Sequence, residues 1–217
     1  MRRKLKAIES KIEKAEKELQ EVKEELATLK VTRKLPQPKI GDEIEIADMK
    51  WKVLDKTDKG FLCLAERIKE GMQFDSSCND WTKSALRKYL NTEFLEKLAS
   101  EVGEENIVSF QRDLLSLDGQ TEYGMCEDKV SLVTVDEYRI YRSMIPNTEN
   151  YWWWTITPDS TKCNNDSRWV RVVSPSGDIR NCNFDYFSFD DDGAVRPFCI
   201  FHLQSLNQRK SKCQTIN

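Results

Sequence analysis

One stretch near the C-terminus decides how the chain is read: Asn181-Cys182-Asn183-Phe184-Asp185-Tyr186-Phe187-Ser188-Phe189-Asp190-Asp191-Asp192-Gly193-Ala194-Val195-Arg196-Pro197-Phe198. Up to Gly193 the aromatics Phe184, Tyr186, Phe187 and Phe189 alternate with Asn, Asp and Ser. The segment lacks the aliphatics of a buried strand and is too aromatic for a solvated loop. Rigid aromatic area beside adaptable hydrogen-bonding groups is the chemistry of a paratope. The candidate ligand-binding residues are therefore Arg180, Asn181, Asn183, Phe184, Asp185, Tyr186, Phe187, Ser188, Phe189, Asp190, Asp191 and Asp192. A plainer reading makes Phe184, Phe187 and Phe189 the core of a long loop and the acids its solvated face. Asp190, Asp191 and Asp192 also offer the oxygen ligands that calcium prefers, but three adjacent acids are a weak basis, and neither metal nor cofactor is expected.

Outward from this stretch the pattern is that of a mixed α+β domain over 40–206. Trp169–Val173 and Asp178–Cys182 read as strands around a Ser-Pro-Ser-Gly turn, and Ala194–Leu203 as an apolar final strand. Cys163-Asn164-Asn165-Asp166-Ser167 shares the composition of 181–192, which adds Asn164 and Asn165 as a neighbouring contact loop. Residues 40–68 read as two strands around Asp58-Lys59-Gly60. A helix is expected over Thr82–Ala99, with Ala85, Leu86, Leu90, Phe94, Leu95 and Leu98 on its apolar face. Thr134 and Glu137 fit a capping box opening a helix at Val135–Arg142. Trp152, Trp153 and Trp154 read first as core, with one ring reaching the site. Residues 207–217 form a polar tail.

The N-terminal part is a different object. Leu5, Ile8, Ile12, Ala15, Leu19, Val22, Leu26 and Leu29 recur at alternating spacings of three and four, the period of a coiled-coil seam. In a parallel, in-register homo-oligomer the flanking charges meet as Lys4–Glu9, Lys11–Glu16, Glu18–Lys23 and Glu25–Lys30, all opposite in sign. Each exposed pair contributes only about 0.5 kcal/mol, but agreement of all four sets orientation. Leu at a with β-branched residues at d disfavours a dimer and leans toward a trimer. The stalk is expected over 1–34, and Pro36 and Pro38 in the linker 35–39 end it. A lone helix packed on its own domain is the alternative.

Composition excludes several classes. The chain has 217 residues and a net charge of −3, but residues 1–34 carry 11 Lys/Arg against 7 Glu, so the head is acidic. An acidic head argues against a nucleic-acid partner. No run is long and apolar enough for membrane insertion. The basic start leads into charge rather than an apolar segment, so no secretory signal is expected and synthesis is placed in the cytoplasm. Seven cysteines without a C-x-x-C pair argue against zinc and for reduced thiols, with a Cys182–Cys199 bridge left open. The single histidine, His202, sits in an apolar run and reads as structural.

The order of landmarks resembles bacterial and phage domains of C-type-lectin-like fold, related in architecture to formylglycine-generating enzymes. The matching pieces are Gly41-Asp42, Trp81-Thr82-Lys83-Ser84-Ala85-Leu86-Arg87-Lys88-Tyr89-Leu90-Asn91, Asp128-Lys129-Val130-Ser131-Leu132-Val133-Thr134, Tyr151-Trp152-Trp153-Trp154-Thr155 and Gly193-Ala194-Val195-Arg196-Pro197-Phe198. Ala194 stands where that pattern has glycine before Val-Arg-Pro. Within the fold, the chain resembles the variable proteins of diversity-generating retroelements, whose ligand-binding residues precede the final Arg-Pro strand and are rewritten at adenines of Asn codons. All six residue types in 181–192 can be reached in that way.

The resemblance implies a non-enzymatic ligand- or receptor-binding protein: a lectin-like surface displayed on a homotrimeric stalk, binding a protein or glycan and carried on a virion. The alternatives are a structural tail module without a ligand site and a formylglycine-generating-type enzyme. No cysteine motif of the latter can be carried over.

Overall fold

A computed structural model describes residues 11–12, 14–23, 37–68, 71–186 and 193–202. The chain divides into two units, one made of Met1–Pro36 with Lys210–Asn217 and the other running from Gln37 to Arg209. In the first, residues 14–23 are helical. Of the seam, Ile12, Leu19 and Val22 are about half exposed (52%, 55% and 51%), and Ala15 is also exposed, so the described part of this apolar stripe is uncovered in the single chain. Lys14–Glu18 and Lys17–Glu21 are i,i+4 pairs along the helix. Leu5, Ile8, Leu26 and Leu29 lie outside the described residues.

The second unit is mixed helix and strand built on a curled sheet. Strands β1 (Glu43–Ile46), β2 (Met49–Lys56) and β3 (Phe61–Ala65) form an antiparallel meander. These are three strands rather than the two expected, because Ala47 and Asp48 both take positive φ (55° and 57°) and close a tight hairpin without the usual Asn-Gly. The Ala47 N–H donates to Glu101 Oε2 at 2.5 Å, which ties the turn to the helix behind it.

The expected helix over 82–99 is two helices. Trp81–Lys83 is a 3₁₀ turn, α1 spans Ala85–Leu90 and α2 spans Glu93–Val102. Ser84 caps α1, its hydroxyl accepting from Arg87 N–H at 3.1 Å. Asn91 ends α1: its amide donates to Arg87 O and Val130 O and accepts from Lys129 N–H and Val130 N–H. One side chain thus stops the helix and clamps it to the strand β7 (Val130–Ser131). After α2 come β4 (Ile107–Val108), then the two-stranded ribbon β5 (Phe110–Asp113) and β6 (Met125–Asp128). The capping box forms as expected: Thr134 Oγ1 accepts from Glu137 N–H, Glu137 Oε2 accepts from Thr134 N–H, and α3 spans Val135–Tyr141.

A second sheet contains β8 (Trp152–Pro158), β9 (Trp169–Val173), β10 (Ile179–Asn183) and β11 (Gly193–Ala194), in the order β10-β9-β8-β11, with β11 parallel to β8. The expected final strand 194–203 is split. Gly193–Ala194 belongs to this second sheet, while β12 (Phe198–Phe201) crosses into the first and pairs with β3 on one side and with β4 and β7 on the other. Pro197, which cannot donate to a ladder, sits at the crossing. His202 follows β12 and donates its backbone N–H to Asn106 O at 2.8 Å. Cys199 lies opposite Cys63, not Cys182, so the Cys182–Cys199 bridge does not form, and both residues are free.

Neighbouring residues on β3 and β12 feed opposite cores, as period-2 geometry requires. Phe61, Cys63, Ala65, Cys199 and Phe201 pack into the larger core with α1 and α2, while Leu62, Leu64, Phe198 and Ile200 pack into the smaller one with α3. The tryptophans divide in the same way. Trp153 meets Tyr138 edge-on at 5.5 Å in the smaller core, and Trp154 meets Phe74 in the larger. Buried polar groups between layers are paired: Arg112 forks onto Glu137 at 2.6 Å and reaches Ser131, and Asp128 accepts from Trp81 Nε1 and Arg87 Nε, both at 2.7 Å.

Candidate functional site

The segment 181–186 leaves the edge strand β10 and enters a turn. Cys182 and Phe184 pack against the larger core, and strand alternation gives Asn181 and Asn183 to the other face. Phe184 is pinned on both sides. Its N–H donates to Arg168 O at 3.1 Å, and its carbonyl accepts from Phe74 N–H and Asp75 N–H at 3.0 and 3.1 Å. The half-buried Phe184 is thus a packing residue first, as the plainer reading had it. Tyr186 closes the turn through its N–H on Asn183 O at 3.0 Å, and its 46%-exposed ring lies 5.7 Å from Trp152. Trp152 is in turn set edge-on against Trp154 at 4.8 Å. The one tryptophan expected to reach the site is Trp152, and it acts as a platform for Tyr186.

Facing this turn is the loop after β8. Thr161 caps a 3₁₀ turn over Lys162–Asn164, and Asn165 follows in the left-handed conformation, φ 56°, which Asn tolerates better than most residues. Two carboxylates hold the loop. Asp118 accepts from Ser116 Oγ, from Ser160 Oγ at 2.7 Å and from Asn164 Nδ2 at 2.8 Å. Glu122 Oε2 accepts from Cys163 N–H at 3.0 Å. The Ser116 hydroxyl, followed by Ser160, holds the Asp118 carboxyl below its ordinary range, and the hydroxyl of Thr161 and the thiol of Cys163 do the same for Glu122.

Between the two segments lies an open groove of about 320 Å³. Asn165, Asp166, Ser167 and Arg168 form one wall and Asn183, Phe184 and Asp185 the other. Among the described residues the Asn183 Oδ1 is buried without a hydrogen-bond partner, and such atoms are otherwise nearly all satisfied there. The groove therefore offers an unused acceptor, an amide at Asn165, and charges of both signs at Arg168, Asp166 and Asp185. These are hydrogen-bonding and ionic groups. Cys182, the thiol nearest the site, is pushed up to about 11 by burial and stays a protonated thiol at neutral pH.

The expected site residues separate into four groups. Asn165, Asn183, Phe184 and Asp185 meet across the groove, with Tyr186 beside it. Asn164 is turned to structural use by Asp118. Arg180 and Asn181 are exposed on β10 outside the groove walls, with Arg180 reaching Asp178 at 3.4 Å. Phe187, Ser188, Phe189, Asp190, Asp191 and Asp192 lie outside the described residues. Arg168 was missed because it precedes a strand and carries no compositional signal. Asp118 and Glu122 were missed because they act across more than forty residues of sequence. Among the described residues no helix is long and apolar enough to cross a membrane. Comparison with protein-family models, with curated proteins and with solved structures finds no match for the chain.

Proposed function

We propose that the chain is a non-enzymatic binding protein, with a C-type-lectin-like head that presents the groove between 165–168 and 183–185, together with Tyr186 and the segment through Asp192, to a protein or glycan ligand. One observation carries the reading. Two segments singled out by composition, at the two ends of the β9–β10 hairpin, face each other across one groove, and its wall contains a buried acceptor at Asn183 without a partner among the described residues. An acceptor without a partner costs about 1–3 kcal/mol, a cost that a donor on a ligand removes.

The frame suits a surface that varies. The segment is held at both ends, by β10 up to Asn183 and by β11 from Gly193. A Cβ on Gly193 would lie 3.2 Å from the Trp152 ring, which would have to shift by a few tenths of an ångström to admit it. These features support the resemblance to variable proteins of diversity-generating retroelements. The uncovered stripe of Ile12, Ala15, Leu19 and Val22 supports a parallel homotrimeric stalk, and clustered heads on a virion would gain avidity.

The test has two arms. The full chain is applied to an array of bacterial surface glycans and to immobilised cell-envelope proteins, beside the variant D185A/Y186A. Capture by the native chain alone, at matched melting temperature, supports the reading; equal capture by both overturns it. At the gene, a near-copy of the coding 3′ end, with adenines at these codons and a neighbouring reverse transcriptase, is expected. Finding neither removes the diversification argument.

A further inference from the structure

A second concavity stands apart from the groove and does not depend on how the groove is read. It encloses about 620 Å³ between the loop 146–151 and the chain where β11 gives way to β12, and Arg196 forms part of its wall. Arg196 is 6% exposed. Its Nε donates to Ala65 O at 3.0 Å, and its guanidinium lies 5.0 Å from the ring centre of Trp153. Its Nη1 is buried without a hydrogen-bond partner. Burying a permanent cation without a counter-charge is expensive, and Arg196 forms no ion pair among the described residues. Among the described residues Arg112 is paired by Glu137, and Arg171, which also has a buried nitrogen without a partner, is ion-paired with Asp159; Arg196 differs from both in having no carboxylate on its guanidinium. Of the acids at the cavity rim, Glu66 is mostly exposed and pairs with Lys50 at 3.9 Å, and Glu149 stands on the loop. A second guanidinium, Arg67, lies over the face of Tyr151 at 4.9 Å on the same rim.

We propose that this cavity binds a small carboxylate-bearing molecule, its carboxylate seated against the Arg196 guanidinium. The planar fork of arginine matches a carboxylate. With Glu66 paired to Lys50, Glu149 leaves one net positive charge over Arg67 and Arg196, which a monoanion neutralises and a phosphate dianion exceeds. The volume lies within the range of small-molecule sites, and Asn150 on the rim supplies an amide for a neighbouring hydroxyl or amine.

The experiment titrates the full chain with glucuronate, glutamate, glucose and inorganic phosphate, reading the Arg196 Nε and Trp153 indole resonances by NMR. A saturable shift is expected with a carboxylate, none with glucose and a much weaker one with phosphate. A response to glucuronate alone identifies an acidic sugar, and an equal response to glutamate identifies a pocket for the carboxylate whatever carries it. Arg196→Lys is expected to weaken binding about tenfold. Glu149→Gln, an exposed change that leaves the fold intact, is expected to tighten it severalfold, and it decides the matter should the lysine variant fail to fold. Silence of both carboxylates at tens of millimolar, an equal response to glucose, or a Glu149→Gln variant that binds no more tightly overturns the proposal.

Discussion

The two walls of the groove are built by different means. The wall at 161–168 hangs on side chains, with the carboxylates of Asp118 and Glu122 holding Ser160, Cys163 and Asn164. The wall at 183–186 hangs on the backbone, through three bonds at Phe184 and the core beneath it. Side-chain anchors depend on residue identity and on protonation. Backbone anchors depend on neither, so the residues between them are free to change. The wall at 183–186 is fixed mainly through its backbone, with Phe184 the side chain on which it also depends.

The largest effect expected of breaking this contrast comes from Phe184, the side chain of the 183–186 wall that packs on the core. Phe184→Ala should cost about 2–3 kcal/mol, somewhat less than a fully buried aromatic, as read by chemical denaturation. A loss below the uncertainty of such a measurement would mean that the backbone bonds alone hold the turn. Asp118→Ala should cost less globally but act locally, with the amide resonances of 160–165 moving and those of Phe184 staying in place.

Acid should part the walls in the same direction. Asp118 and Glu122 have folded values below their ordinary 3.8 and 4.5. Their contribution is therefore complete above those values and is lost as pH falls below them through the depressed ones. In an acid titration followed by NMR, the Cys163 and Asn164 amides should lose their folded shifts before the Phe184 amide moves. Simultaneous loss would show that the walls are one cooperative unit.

The smallest expected effect belongs to Asn183. Replacing it with Ala relieves the unpaired acceptor but gives up the packing of the side chain, so stability should stay within about 0.5 kcal/mol of native. A loss well beyond that would mean that the Asn183 amide already has a partner within the protein.

Much of this was legible in the sequence, for identifiable reasons. The capping box at Thr134–Glu137 and the hairpin at 169–183 are encoded within a few residues, and both formed where local chemistry put them. The Ala47-Asp48 turn was hidden because neither residue signals positive φ; the fold imposes it through the Glu101 contact. Asn91 was read as one more polar residue of a helix, since its partners at 129 and 130 come from distant chain. The run 194–203 was read as one strand because hydropathy reports burial but not which sheet supplies it. In the site, composition found both facing segments, but it could not separate Phe184, which packs, from Asp185 and Tyr186, which face outward. The alternation that separates them begins only once β10 is placed.

The crossing of the chain from β11 to β12 also sets an order of events in synthesis. β12 lies in the middle of the first sheet and joins β3 to β4 and β7, while β11 closes the second sheet on β8. Until residues 193–201 have been made, the first sheet has no centre, and β3 and β8 each lack the strand that pairs with one edge. Folding of the head therefore waits for nearly the whole of its sequence and must pair the last strand with partners made more than a hundred residues earlier, an arrangement of slow, long-range closure. The segment 181–192 leaves the ribosome just ahead of the strand that completes the fold. Changes within it therefore reach a growing chain that has not yet closed, and a variant that delays β12 would be lost to aggregation before its binding was ever tried.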